Sequence, residues 1–166
     1  MTYEFERDLS SFVPTLFLSF GGVLHIGHGL VDDEGIVTLD SGHTPLEFAF
    51  FLEDIIAPWP QVQIILTTTL LRTLGAEKTI ALLPDELRQR VVDTTRSRMV
   101  ENIKSKTLST IVYSTERRLT NWLAVDDGAW TVPRYAEHYL CTDSEAALDD
   151  SIMRRRLRIW LEHACE

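Results

Sequence analysis

The stretch Leu16-Phe17-Leu18-Ser19-Phe20-Gly21-Gly22-Val23-Leu24-His25 decides how the rest of the chain reads. With Thr15 before it, the run to Phe20 is almost continuously apolar, short, and halted by Gly21-Gly22. A run of that kind suits a strand buried on both faces, as in a parallel sheet covered by helices. Similar runs recur at Val62-Gln63-Ile64-Ile65-Leu66, at Trp122-Leu123-Ala124-Val125 and, more weakly, at Tyr139-Leu140-Cys141, each ending in small or acidic residues.

Helical patterns lie between these runs. Thr44-Pro45 offers an N-cap and a first-turn proline, which predicts a deeply buried helix from Pro45 to Ile56, stopped by Pro58 and Pro60. Further helices are predicted over Leu70 to Leu82, Pro84 to Val92, Ser105 to Ser114 and Asp150 to Ala164. In the last, Ile152, Leu157, Trp160, Leu161 and Ala164 make an inward stripe, and the arginines at 154–156 fan around the axis rather than forming a nucleic-acid patch. Gly22 to Gly42 reads as a hairpin-like flap with strands at His25-Ile26 and Ile36 to Leu39 around the acidic tip Asp32-Asp33-Glu34-Gly35.

Alternation of strand and helix predicts an α/β three-layer sandwich with a central, mostly parallel sheet and a small flap after the first strand. Ligands in such sheets sit beyond the carboxyl ends of the strands. The residues there are Ser19 to Gly22, Thr67 to Thr69, and Asp126 with Asp127.

The length of 166 residues, with 45% hydrophobic and 25% charged, fits a single domain over 1–166 with its own core. Sixteen basic against twenty-five acidic residues give a net charge of −9, which points away from direct nucleic-acid or membrane binding and toward a basic protein partner. Two cysteines are too few for a disulfide scaffold, and the N-terminal residues lack a signal-peptide pattern, so a cytoplasmic location is expected. Cys141 is expected as a buried small hydrophobe, Cys165 at a frayed end. His25 and His28 match no recognised metal spacing; His25 is expected beside the site and His28 on a loop.

The stretch from Leu16 to His25 resembles the first motif of the haloacid dehalogenase-like (HAD) superfamily, in which a strand ends with Asp, any residue, a second Asp, then Gly-Val or a near equivalent. Ile64 to Thr69 resembles the second motif, a strand followed by a phosphate-binding Thr or Ser, and Leu123 to Asp127 the fourth, whose acids hold Mg²⁺. Leu83-Pro84, Leu87, Arg90-Val91-Val92, Thr95 and Tyr139 to Asp143 are similar to a subgroup of small bacterial HAD domains, some fused to RNA-repair enzymes.

The resemblance implies a Rossmannoid HAD-like fold, with Ser19 at the nucleophile position and Gly21 at the acid/base position. Both carboxylates are missing from this degenerate first motif. Losing a nucleophile from a concerted set costs on the order of 10⁶ in turnover, so ordinary HAD phosphatase chemistry is expected to be absent. The resemblance further implies Thr67, Thr68 and Lys106 as phosphate-binding groups if that function is retained, with Lys104 the other choice for the lysine. Asp126 and Asp127 would be Mg²⁺ ligands that hold the ion only loosely, and no cofactor is expected. Without the resemblance, Asp126-Asp127 is equally a solvated strand end, Thr67 to Thr69 a β-branched strand end, and Lys106 a surface lysine.

One function class is therefore a catalytically inactive HAD-like domain that acts by protein binding, in one form an acidic immunity or antitoxin protein that neutralises a basic toxin. The alternative is a divergent Mg-dependent HAD phosphatase or phosphohydrolase, which needs an activating base. A narrower third is a phosphate or nucleotide sensor without turnover.

Overall fold

The computed structural model describes residues 12–95, 106–128 and 132–166. In chain order these form β1 (Thr15–Leu18), β2 (Gly29–Val31), β3 (Val37–Leu39), α1 (Ala49–Ile56), β4 (Gln63–Leu66), α2 (Leu70–Leu74), α3 (Ala76–Ala81), α4 (Asp85–Arg88), β5 (Val91–Thr94), α5 (Lys106–Glu116), β6 (Trp122–Asp126), β7 (Tyr139–Cys141) and α6 (Ser151–Ala164). Short 3₁₀ turns at Pro133–His138 and Ala147–Asp149 precede β7 and α6.

The four apolar runs became β1, β4, β6 and β7, which with β5 make a five-stranded sheet in the order β5-β4-β1-β6-β7, every neighbour parallel. Strand residues alternate between two cores. Leu16, Leu18, Ile64, Leu66, Leu123 and Val125 face α1 and α6, meeting Leu52, Ile55, Ile56, Leu157 and Leu161. Phe17, Ile65, Trp122 and Ala124 face Tyr113 of α5. Burial on both faces is why these strands are near-continuously apolar, and each fully buried Leu or Ile contributes about 1.5–3 kcal/mol of transfer free energy.

Several elements depart from expectation. The helix predicted from Pro45 starts only at Ala49: Leu46 has φ 58°, its N–H bonds His25 Nδ1 at 3.2 Å, and the Phe48 N–H bonds the Leu24 carbonyl at 2.9 Å. Those tertiary bonds and a left-handed residue exclude a helical turn there. Phe50, predicted buried, is 57% exposed. The helix over Leu70 to Leu82 divides into α2 and α3 at Gly75 (φ 83°), whose N–H caps Leu71 and whose carbonyl accepts both the N–H and the hydroxyl of Thr79.

The helix predicted over Pro84 to Val92 is instead the single turn α4 followed by β5. The Arg90 guanidinium donates to the carbonyls of Ile56, Trp59 and Val62, and its own carbonyl accepts from Ile64, which draws the following residues alongside β4. Helix α5 begins at Lys106; the predicted start, Ser105, lies outside the described residues. In α6, capped by the Asp150 carboxylate on the Ile152 N–H, Leu157 and Leu161 are buried but Ile152 is 60% exposed, so the inward stripe is narrower than predicted. Cys141 is exposed rather than buried, because β7 is an edge strand on which only Leu140 points inward.

The flap is present after β1, but its strands are β2 and β3, paired antiparallel with Gly29 opposite Leu39 and Val31 opposite Val37. His25-Ile26 forms no strand; His25 makes only a bridge to Gly21. At the exposed tip, the Asp32 carboxylate accepts from the N–H groups of Glu34 and Ile36.

Candidate functional site

Strand register assembles the site. Leu18 pairs with both Leu66 and Val125, so the next residues, Ser19, Thr67 and Asp126, emerge side by side at the carboxyl ends of β1, β4 and β6. The backbone extends the pairing by one step: the Ser19 N–H donates to Val125 at 3.3 Å and the Thr67 N–H to Leu18 at 2.9 Å. This is where the chain reverses strand order, crossing from β5 on one side of β1 to β6 on the other.

Lys106, the first residue of α5, reaches into this convergence. Its ammonium donates to Ser19 Oγ and to Asp126 Oδ1, each at 3.0 Å. Asp126 Oδ1 also accepts the Asp127 N–H at 2.9 Å. Burial, followed by the bond and charge of Asp126, pushes the Asp127 carboxyl above the usual range, with Lys106 opposing. Ser19, Thr67, Thr68 and Asp126 are all buried.

Two glycines shape the loop after Ser19. Gly22 has φ 72°, and a Cβ there would land inside the Asp127 carboxylate. At Gly21, a Cβ would stand 3.2 Å from the Gly27 carbonyl oxygen, a tight fit for a side chain there. Thr142, after β7, ties the loop down by donating its hydroxyl to the Gly22 carbonyl and its N–H to that of Asp126.

Thr67, Thr68, Thr69, Arg72 and Lys106 line one small cavity of ≈ 20 Å³ together with Thr95 and Ser109. Sequence reasoning did not assign the last two to the site, Thr95 having entered only through the subgroup resemblance. Thr95 follows β5, which was read as helix, and Ser109 lies one turn beyond Lys106 on α5, a spacing that would have found it. Lys104 lies outside the described residues. His25 is buried in the flap side of the site and held neutral: burial pushes its pKa down to about 4, and its Nδ1 accepts the Leu46 N–H, which leaves the ring proton on Nε2. His28 is exposed and bound to the Asp40 carboxylate through both its N–H and Nδ1.

Mg²⁺ demands near-octahedral oxygen ligands, normally including carboxylates. Asp126 and Asp127 supply two, one of which already receives an ammonium and a backbone N–H. Among the described residues no group of three or more His, Cys, Asp and Glu comes together. Asp126 and Asp127 are the two carboxylates that the described residues bring to this end of the sheet. Chemically, the arrangement offers a hydroxyl, an ammonium and threonine hydroxyls, and no carboxylate at either reacting position.

A family model described as the HAD domain in Swiss Army Knife RNA repair proteins matches residues 15–152. The crystal structure of a hypothetical protein from Xanthomonas campestris is similar at 17% identity, with a TM-score of 0.44, over 96% of this chain and 86% of that one. No curated protein matches the chain. Among the described residues, no helix is long and apolar enough to cross a membrane.

Proposed function

The chain belongs to the family of HAD domains found in Swiss Army Knife RNA repair proteins, and from that premise we propose that it is a catalytically silent member that acts by binding a basic protein. One observation carries the reading: Ser19 and Gly21 occupy the positions where the resemblance to the HAD first motif implies two carboxylates. Lys106 donates to both Ser19 Oγ and Asp126 Oδ1, so among the described residues the side chain that touches the Ser19 hydroxyl is a hydrogen-bond donor already shared with a carboxylate. The net charge of −9 supports a basic partner through electrostatic steering, and the exposed acidic flap tip supports the flap as part of the contact. In its sharpest form the partner is a basic toxin and the domain an acidic immunity protein in the cytoplasm.

The Ser19–Lys106 hydrogen bond favours a second reading, a divergent phosphohydrolase with Ser19 as nucleophile. The family's description, which names RNA repair proteins, would then point to a phosphate ester of RNA as the substrate class to assay. Co-purification with a basic protein, weakened as salt is raised, is the result expected of the binding role. Its absence, together with hydrolysis of a phosphate ester, would establish the second reading instead.

A further inference from the structure

At the opposite end of the sheet from Ser19, a cleft of ≈ 380 Å³ opens between the end of α5 and the start of β6, with Arg118, Trp122, Tyr135 and His138 among its walls. Its volume falls in the range of small-ligand sites. Trp122, the first residue of β6, is buried and forms the floor. The His138 ring stacks on it at 4.2 Å and 12°, and donates Nδ1–H to the Trp122 carbonyl at 2.8 Å. Tyr135, half-buried, tilts against both rings at 6.3 and 6.4 Å, and the Arg134 guanidinium lies 5.8 Å from its ring centre.

Arg118 is the second observation. It closes α5 with φ 54°, a left-handed position suited to glycine, while its N–H bonds Thr115 and the next N–H bonds Ser114. Retaining a long cationic side chain on a backbone that favours glycine directs attention to what that side chain does. Among the described residues neither Arg118 nor Arg134 has a carboxylate partner, although acids outnumber bases by twenty-five to sixteen. Exposed guanidiniums beside a platform of three rings supply stacking and charge together.

We propose that this cleft binds a nucleotide, its base stacked on the Tyr135 and His138 rings and its phosphate on Arg118. The site is separate from the Ser19 pocket and needs no turnover there. A planar heterocycle answers the ring platform, the Thr115 hydroxyl in the cleft wall suits a sugar, and the anion answers a guanidinium that has no carboxylate partner among the described residues. Free mononucleotide and the terminal nucleotide of a single strand share this chemistry.

The test is a calorimetric titration of the full chain with AMP, and a fluorescence-polarisation titration with a ten-nucleotide labelled RNA. Arg118→Gly is the informative variant, because glycine is at home at that φ and the fold is preserved while the guanidinium goes; Tyr135→Ala removes the platform. Binding of either probe by the wild type, weakened at least about fivefold by each variant with unchanged circular dichroism, is the expected result. Stronger binding of the RNA than of AMP identifies the strand as the source, and the reverse order the free nucleotide. No binding of either probe, or binding that both variants leave intact, overturns the proposal.

Discussion

The Lys106 ammonium stands 3.0 Å from Asp126 Oδ1, at the seam where β1 and β6 deliver Ser19 and Asp126 side by side. The same ammonium donates to Ser19, so one cation satisfies the hydroxyl and the carboxylate together. Lys106→Met leaves Asp126 buried beside Asp127 with its charge uncompensated. A loss of about 1–3 kcal/mol is expected, less than for a fully buried pair because the lysine side chain retains 29% exposure. Urea unfolding checks this, and a double-mutant cycle with Asp126→Asn should recover most of the loss.

Stability should fall as pH drops from about 6.5 to about 4 through His25. Its folded pKa of about 4 lies below the unfolded 6.5, so the unfolded chain binds the extra proton across that window. The contribution is fully present above 6.5 and is lost on acidification, on the order of 3 kcal/mol in all. Asp127, raised by burial, acts with the opposite sign near and above the usual carboxylate range, so the His25 share is isolated by comparison with His25→Gln. Thermal melts of that variant should show a flatter profile between pH 4 and 6.5; an unchanged profile would refute the assignment.

Gly22 and Gly35 both have left-handed φ, 72° and 82°, but only at Gly22 does a Cβ collide with a neighbour, the Asp127 side chain. Alanine at either should cost about 1–2 kcal/mol for the backbone alone. Gly22→Ala is expected to lose clearly more than Gly35→Ala in denaturant unfolding, the difference measuring the Asp127 contact.

In α6, Leu157→Ala should cost about 2–5 kcal/mol because the side chain is fully buried in the main core, while Ile152→Ala should change stability by less than about 0.5 kcal/mol at 60% exposure. Equal losses would contradict the placement of the helix.

The parts of this fold that sequence made legible are those buried on both sides. β1, β4 and β6 are almost continuously apolar because both cores press on them, and the residues after them emerge together at the carboxyl end of the sheet. β5 escaped notice because it is an edge strand: Val92 is 57% exposed and Asp93 interrupts the run, while the force that extends it, the Arg90 guanidinium on three distant carbonyls, leaves no local trace. The late start of α1 has the same origin, since His25 and Leu24 claim the N–H groups that the Thr44-Pro45 signal assigns to a helix. At the site, the motif positions could be read from residue types, whereas the bond from Lys106 to both Ser19 and Asp126 spans 87 and 20 residues and required the assembled sheet.

The most direct test of the silent-site account is hydrolysis of p-nitrophenyl phosphate by the purified chain in Mg²⁺. The account predicts no release of p-nitrophenol above buffer, and no difference between the wild type and Asp126→Asn. Robust Mg²⁺-dependent turnover that Asp126→Asn abolishes would contradict it.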